Sequence, residues 1–175
     1  MSAPRPLPYL TRAIVWPRHA VELFLDVKTD PLRDLCYLHG LLIREHGATG
    51  AWRERFAPVF AATADMHGER EAFAAALDLL RARPEALVLH SSREAHGTYR
   101  RLAARHPGIA APSEIEALFS PPRGFDVHAD GVRSASEWPT RDYSLAQIGR
   151  YLGVRRRDEG TTGVAAAESF ESWVR

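Results

Sequence analysis

The sequence predicts an α/β fold, a mixed sheet flanked by helices, and three observations carry that expectation. Residues 21–28, VELFLDVK, alternate apolar and polar side chains with the period of two that a half-buried strand requires. Two more strand-like runs follow directly, which makes a three-stranded antiparallel meander. The pattern then changes to helix, strand, helix, the order that adds parallel strands to a sheet.

Length and composition set the frame. A chain of 175 residues with 45% hydrophobic and 26% charged side chains has the usage of one ordinary globular domain with one core. The lone Cys36 cannot form an internal disulfide and suits a reducing cytosol. No apolar stretch is long enough to cross a bilayer, and Pro4, Pro6, Pro8 and Pro17 interrupt the opening segment where a signal peptide would carry its apolar core. The expected setting is therefore cytoplasmic, with no membrane partner. A formal charge of +1 neither requires nor forbids a local basic groove. Lys28 is the only lysine in the chain, and every other basic residue of the Lys/Arg type is arginine.

The elements follow in order. Residues 1–20, with four prolines and little periodicity, read as a flexible or loosely docked arm, and the domain proper spans 21–175. In the first strand Val21, Leu23, Leu25 and Val27 take one face, while Glu22, Phe24, Asp26 and Lys28 take the other. LCYLHGLLI (35–43) and AWRERFAPVF (51–60) are strands joined by a glycine-containing hairpin turn. Within residues 69–84, Phe73, Ala76, Leu77 and Leu80 recur at helical spacing before Pro84. ALVLHSS (86–92) is a short apolar strand. The segment 93–108 carries Tyr99, Leu102, Ala103 and His106 on one helical stripe and stops at Pro107 and Gly108.

Residues 107–142 read as mostly irregular, with one short helix at SEIEALF (113–119). Ser144 caps a helix through Leu152, and Gly153 supplies the stop. A last helix, capped at Thr162, sets Ala166, Phe170, Trp173 and Val174 along a stripe.

LFLDVKTDP (23–31), LCYLHGLLI, LHSSREAHGTYRRLA, and FDVH followed by WPTRDYSLAQIGRYLGVRRRD stand in an order and spacing that carry a family likeness. Together they resemble the ribonuclease H-like domain of bacterial RecB-family and YprB-type nucleases, a branch of the DEDD exonuclease superfamily. The likeness spans about residues 21–173. It implies a ribonuclease H-like sheet and a hydrolase that removes nucleotides 3′ to 5′ with two Mg²⁺ or Mn²⁺ ions. Phosphodiester hydrolysis of that kind needs carboxylates converging on cations about 4 Å apart.

By position, Asp26 matches the first-motif aspartate, Glu94 the second-motif acid, and Asp126 the aspartate of an Asp-Leu-Tyr string. The resemblance makes Asp26 and Glu94 the catalytic pair and Asp26, Glu94 and Asp126 the metal ligands. Two departures break the pattern. Lys28 stands where the family has a glutamate, and the third acidic motif falls beyond Arg175. Glu168 occupies no motif position. A nuclease weakened or silenced by these changes is the expectation, with the chain as a piece of a longer enzyme as a further reading. The alternative is a non-catalytic nucleic-acid-binding or assembly module beside a helicase or nuclease partner, with Lys28, Arg155 and Arg156 against phosphates.

Plainer roles fit other residues. Asp158 and Glu159 follow Arg155, Arg156 and Arg157, so that run also reads as a solvated turn. His39, His90 and His96 lack zinc-site spacing and read as polar fillers. Cys36 reads as a small buried hydrophobe, and Trp138 and Trp173 as core anchors.

Overall fold

The computed structural model describes residues 6–47, 50–91, 93–154 and 163–174. Its centre is a five-stranded mixed sheet. Strands β2 (Val21–Asp30), β3 (Leu35–His46) and β4 (Trp52–Phe60) form an antiparallel meander; β5 (Leu87–His90) and β6 (Gly124–Asp126) add in parallel on the other side of β2. The spatial order is β4-β3-β2-β5-β6. A second, two-residue ladder joins β1 (Tyr9–Leu10) to β7 (Ser136–Glu137), which ties the proline-rich arm to the body of the domain.

Helices α1 (Met66–Arg81), α2 (Arg93–Arg105) and α3 (Pro112–Phe119) cover one sheet face, hereafter the helix face. Phe73, Leu77 and Leu80 from α1, Tyr99 and Leu102 from α2, and Ile115 and Phe119 from α3 close on Leu23, Leu25, Leu41, Ile43 and Val88 of the strands. Each such side chain removed from water contributes roughly 1.5–3 kcal/mol. The alternation in β2 and the stripes in α1 and α2 are therefore those read from the sequence.

The α1 boundary is set by Asp65. Its carboxylate accepts the His67 and Gly68 N–H groups at 3.0 and 2.9 Å, taking up donors that the first helical turn leaves without partners. Ser144 does the same for Gln147 at the start of α4 (Leu145–Tyr151), and Gly153 beyond its end has φ +77°, the left-handed conformation glycine adopts without strain. The last helix, α5 (Gly163–Val174), docks through Ala167 and Phe170 on Tyr37, whose ring stacks on Phe170 at 4.6 Å. A register shift in the β2–β3 ladder makes this possible: Lys28 pairs with Leu38 and Thr29 with Cys36, so Tyr37 is the extra residue of a bulge.

Three expectations need correction. Besides the expected short helix, α3, residues 107–142 hold β6, a π-helix at Val127–Arg133 and β7 rather than an irregular connection. β6 is three residues long and enters the sheet only because Gly124 lacks a side chain; a Cβ there would lie 2.2 Å from the Phe119 carbonyl carbon. Gly124→Ala is accordingly expected to cost about 1–3 kcal/mol by overpacking, and chemical denaturation showing no loss would contradict this packing. Trp173 is 68% exposed and anchors no core. Trp138 is only half-buried, donating its Nε1–H to Ser136 Oγ at 2.8 Å. Thr162, the cap expected for α5, lies outside the described residues.

Candidate functional site

The sheet face turned away from α1–α3 carries the side chains that the first strand's alternation sets apart from the core. Phe24, Asp26 and Lys28 of β2 stand beside Leu42, Gly40 and Leu38 of β3, and Phe56 of β4 pairs with Leu42. With Leu89, Val127 and the α4 side (Leu145, Gly149 and Val154) they line a groove of about 640 Å³ that reaches His90 and Ser91 at the end of β5. Gly40 lies opposite Asp26, and a Cβ there would lie 3.7 Å from the Phe56 ring. Within this largely apolar groove the Lys28 ammonium lies 2.7 Å from the Asp26 carboxylate, with both side chains more than half exposed. An exposed pair of this kind stabilises the fold by about 1 kcal/mol at most.

The same face continues along the strands into a second hollow of about 570 Å³, lined by Trp16, Arg18, His19, Glu22, Arg44, His46 and Trp52. Arg44 joins its parts: its guanidinium sits 4.2 Å from the Trp52 ring centroid and 3.4 Å from the buried Glu22 carboxylate. Trp16, from the arm, meets Phe125 edge-on at 5.0 Å. From Glu22 to Lys28 the two hollows extend about 20 Å along β2.

The acids that the resemblance groups together take separate places. Leu25, His90 and Asp126 are lateral neighbours across β2, β5 and β6. Leu25 belongs to the helix-face core, so His90 and Asp126 take that face and Asp26, one residue on, takes the other. His90 meets the Phe119 ring at 5.1 Å, in keeping with that side. Asp126 caps the π-helix by accepting the His128 and Ala129 N–H groups at 3.0 and 2.9 Å, and its other oxygen is 3.9 Å from His90 Nδ1. Glu94 is an exposed residue in the first turn of α2, on the helix-face side. Glu168 is exposed on α5. Arg155, Arg156 and Arg157 lie outside the described residues.

Among the described residues no group of three His, Cys, Asp or Glu side chains is placed to hold a metal ion. The donor set that a Mg²⁺ or Mn²⁺ pair needs is thus not assembled from these acids, and the cation nearest Asp26 is the chain's own lysine.

The other chemistry-bearing side chains serve the interior. Burial, with Glu69 adding its charge nearby, pushes the Cys36 thiol up to about 12, far from a nucleophile's range. His39 is fully buried, with Nδ1 3.2 Å from the Tyr99 hydroxyl. His96 stacks on Phe119 and lies 3.3 Å from Glu116.

Sequence reasoning placed Asp26 and Lys28 on one face and missed Phe56 in the same groove and Arg44 and Trp52 in the adjoining hollow. The alternation of WRERFAPVF carried the signal for Phe56 and Trp52, which fall in phase with each other at a period of two. Nothing local in the sequence signals Arg44, because it lies just beyond LCYLHGLLI, the apolar run that marked the second strand. Set beside known proteins, the chain matches no family model, no curated protein and no solved structure.

Proposed function

We propose that this chain is a ribonuclease H-like module of exonuclease ancestry that holds single-stranded nucleic acid on the groove face without hydrolysing it. The strand order β4-β3-β2-β5-β6, antiparallel in its first half and parallel in its second, is compatible with that architecture. The observation that carries the binding reading is the tract itself: Phe56, Trp52 and Trp16 offer ring faces and edges for bases, while Lys28, Arg44 and Arg18 are spaced for phosphates along the same path. The alternation that turns Asp26 and Asp126 to opposite faces of the sheet, together with the Lys28–Asp26 pair, supports binding over cleavage. A helicase or nuclease partner would then supply the reaction.

Fluorescence anisotropy with labelled single-stranded DNA, single-stranded RNA and duplex, across a salt series, tests the reading. Single strands are expected to bind at low salt and to weaken steeply as salt rises. Lys28→Ala should lower affinity about fivefold, the effect of one lost phosphate contact near 1 kcal/mol. Absence of binding to every nucleic acid at low salt would remove the proposal. In Mg²⁺ or Mn²⁺ no cleavage is expected, and Lys28→Glu should not create it. Cleavage by the native chain that Asp26→Ala abolishes would show a working metal site and overturn the non-hydrolytic half of the reading.

A further inference from the structure

β4 is the outermost strand, with β3 on one side and, among the described residues, no strand on the other. The phase of its ladder decides which backbone groups face outward. At one end the Ala61 N–H donates to the Tyr37 carbonyl at 2.9 Å, and at the other the Gly47 N–H donates to the Ala51 carbonyl at 2.8 Å. Antiparallel neighbours alternate between pairs that exchange hydrogen bonds and pairs that do not. Both ends agree: Arg53, Arg55, Ala57 and Val59 direct their main-chain groups at β3, whereas Trp52, Glu54, Phe56, Pro58 and Phe60 direct theirs outward. Pro58 belongs to the outward set, where its missing N–H costs the β3 ladder nothing. Three of the five outward residues are aromatic and exposed: Trp52 at 38%, Phe56 at 63% and Phe60 at 46%.

We propose that β4 pairs antiparallel with β4 of a second copy across a twofold axis at Phe56, joining two five-stranded sheets into one. Phe56 is the midpoint of the strand, so this register engages its whole length. Phe56 faces the partner's Phe56, Glu54 faces the partner's Pro58, and Trp52 faces the partner's Phe60. Only the Glu54 carbonyl loses its donor to Pro58, which leaves about eight main-chain hydrogen bonds across the axis. Arg53 and Arg55 meet the partner's Val59 and Ala57, so no like charges are opposed.

Neighbouring registers do worse on charge, on donors or, for an axis at Ala57, on length, which leaves about six main-chain hydrogen bonds. An axis at Glu54 or Arg55 sets that residue against its own copy, and an axis at Pro58 sets two prolines together with no N–H between them. A second copy is favoured over an unrelated strand because β4 supplies both halves of each match. The Phe60 ring, which already lies 5.7 Å from that of the exposed Trp173, gains the partner's Trp52. The closed twofold arrangement uses up the open edge that would otherwise invite unlimited strand addition.

Light scattering or sedimentation velocity on the full chain, over about 1–100 µM, reads the outcome. The mass is expected to rise from 19.5 kDa to twice that value as concentration increases. Phe56→Pro removes the two hydrogen bonds at the axis while leaving the β3 ladder intact. Phe56→Lys keeps every main-chain donor and sets two ammonium groups against each other. Each variant should weaken dimerisation at least tenfold with its far-ultraviolet circular dichroism unchanged. Should Phe56→Pro fail to fold, Phe56→Lys decides alone. A native chain that stays at 19.5 kDa throughout, or a dimer that survives Phe56→Lys, overturns the proposal.

Discussion

Replacing Glu69 by alanine is expected to cost about 3–5 kcal/mol, the scale for removing one partner from a buried charge network. The Glu69 side chain is fully buried in the first turn of α1 and binds two separate pieces of chain. One oxygen accepts the Cys36 N–H at 2.7 Å, where β3 begins. The other lies 2.7 Å from His106 Nε2 just past α2, and the Arg105 guanidinium is 3.2 Å from both. Arg105 reaches on to Asp34, through its carbonyl at 2.5 Å and its carboxylate.

Alanine at 69 leaves a buried N–H without its acceptor and a guanidinium with half its counter-charge. For a chain of this size the melting temperature should fall by roughly 10 °C. Glu69→Gln, which keeps an oxygen for Cys36, should lose less, about 1–3 kcal/mol. Denaturant or thermal unfolding measures both, and a Glu69→Ala loss below about 1 kcal/mol would show that the network is idle.

The second large effect is loss of stability in mild acid, with His39 as its source. Burial holds the His39 imidazole down to about 4, from an ordinary 6.5. It sits among Phe73, Tyr99 and Cys36, where a charge has no counter-ion. The sign follows from proton counting. Between these two values the unfolded chain binds a proton at this site and the folded chain does not, so stability falls as pH falls. The contribution is fully present above about 6.5, drops by about 2 kcal/mol at pH 5, and reaches a loss of about 3 kcal/mol once pH has passed below 4.

His39→Leu removes the titration. That variant starts less stable, because the Tyr99 hydroxyl loses its partner, but its stability should change much less between pH 7 and pH 5. Parallel denaturant curves at the two values check this. Equal losses in the native chain and in His39→Leu would assign the acid response to other groups.

The parts of the fold legible in the sequence were those with a strong local period. Val21–Lys28 alternates, and α1 and α2 show their buried stripes as Phe73–Leu77–Leu80 and Tyr99–Leu102–Ala103. β6, β7 and the π-helix were hidden. β6 has three residues, too few for a period, and depends on the close approach of Gly124 to Phe119. The π-helix begins at the Asp126 cap, which a sequence shows only as one more aspartate. The exposure of Trp173 was also unreadable, since a helix stripe gives direction but not what lies opposite it.

For the candidate site the division is similar. The Lys28–Asp26 pair was visible as two opposite charges two residues apart on a strand, and the structure places them 2.7 Å from each other. Whether Asp126 or Glu94 could join them was not visible. Side-chain alternation is a property of a few consecutive residues and is written locally. The lateral register of β2, β5 and β6 sets Leu25 beside His90 and Asp126, and it depends on how the helices between them pack on the core. A one-residue change in that register would move Asp126 to the face of Asp26. The sequence alone thus determined the α-helices, the strands β2 to β5 and the cation beside Asp26. Only the tertiary structure decided which acids share a face, because register is settled by burial across the whole sheet and not by any one segment.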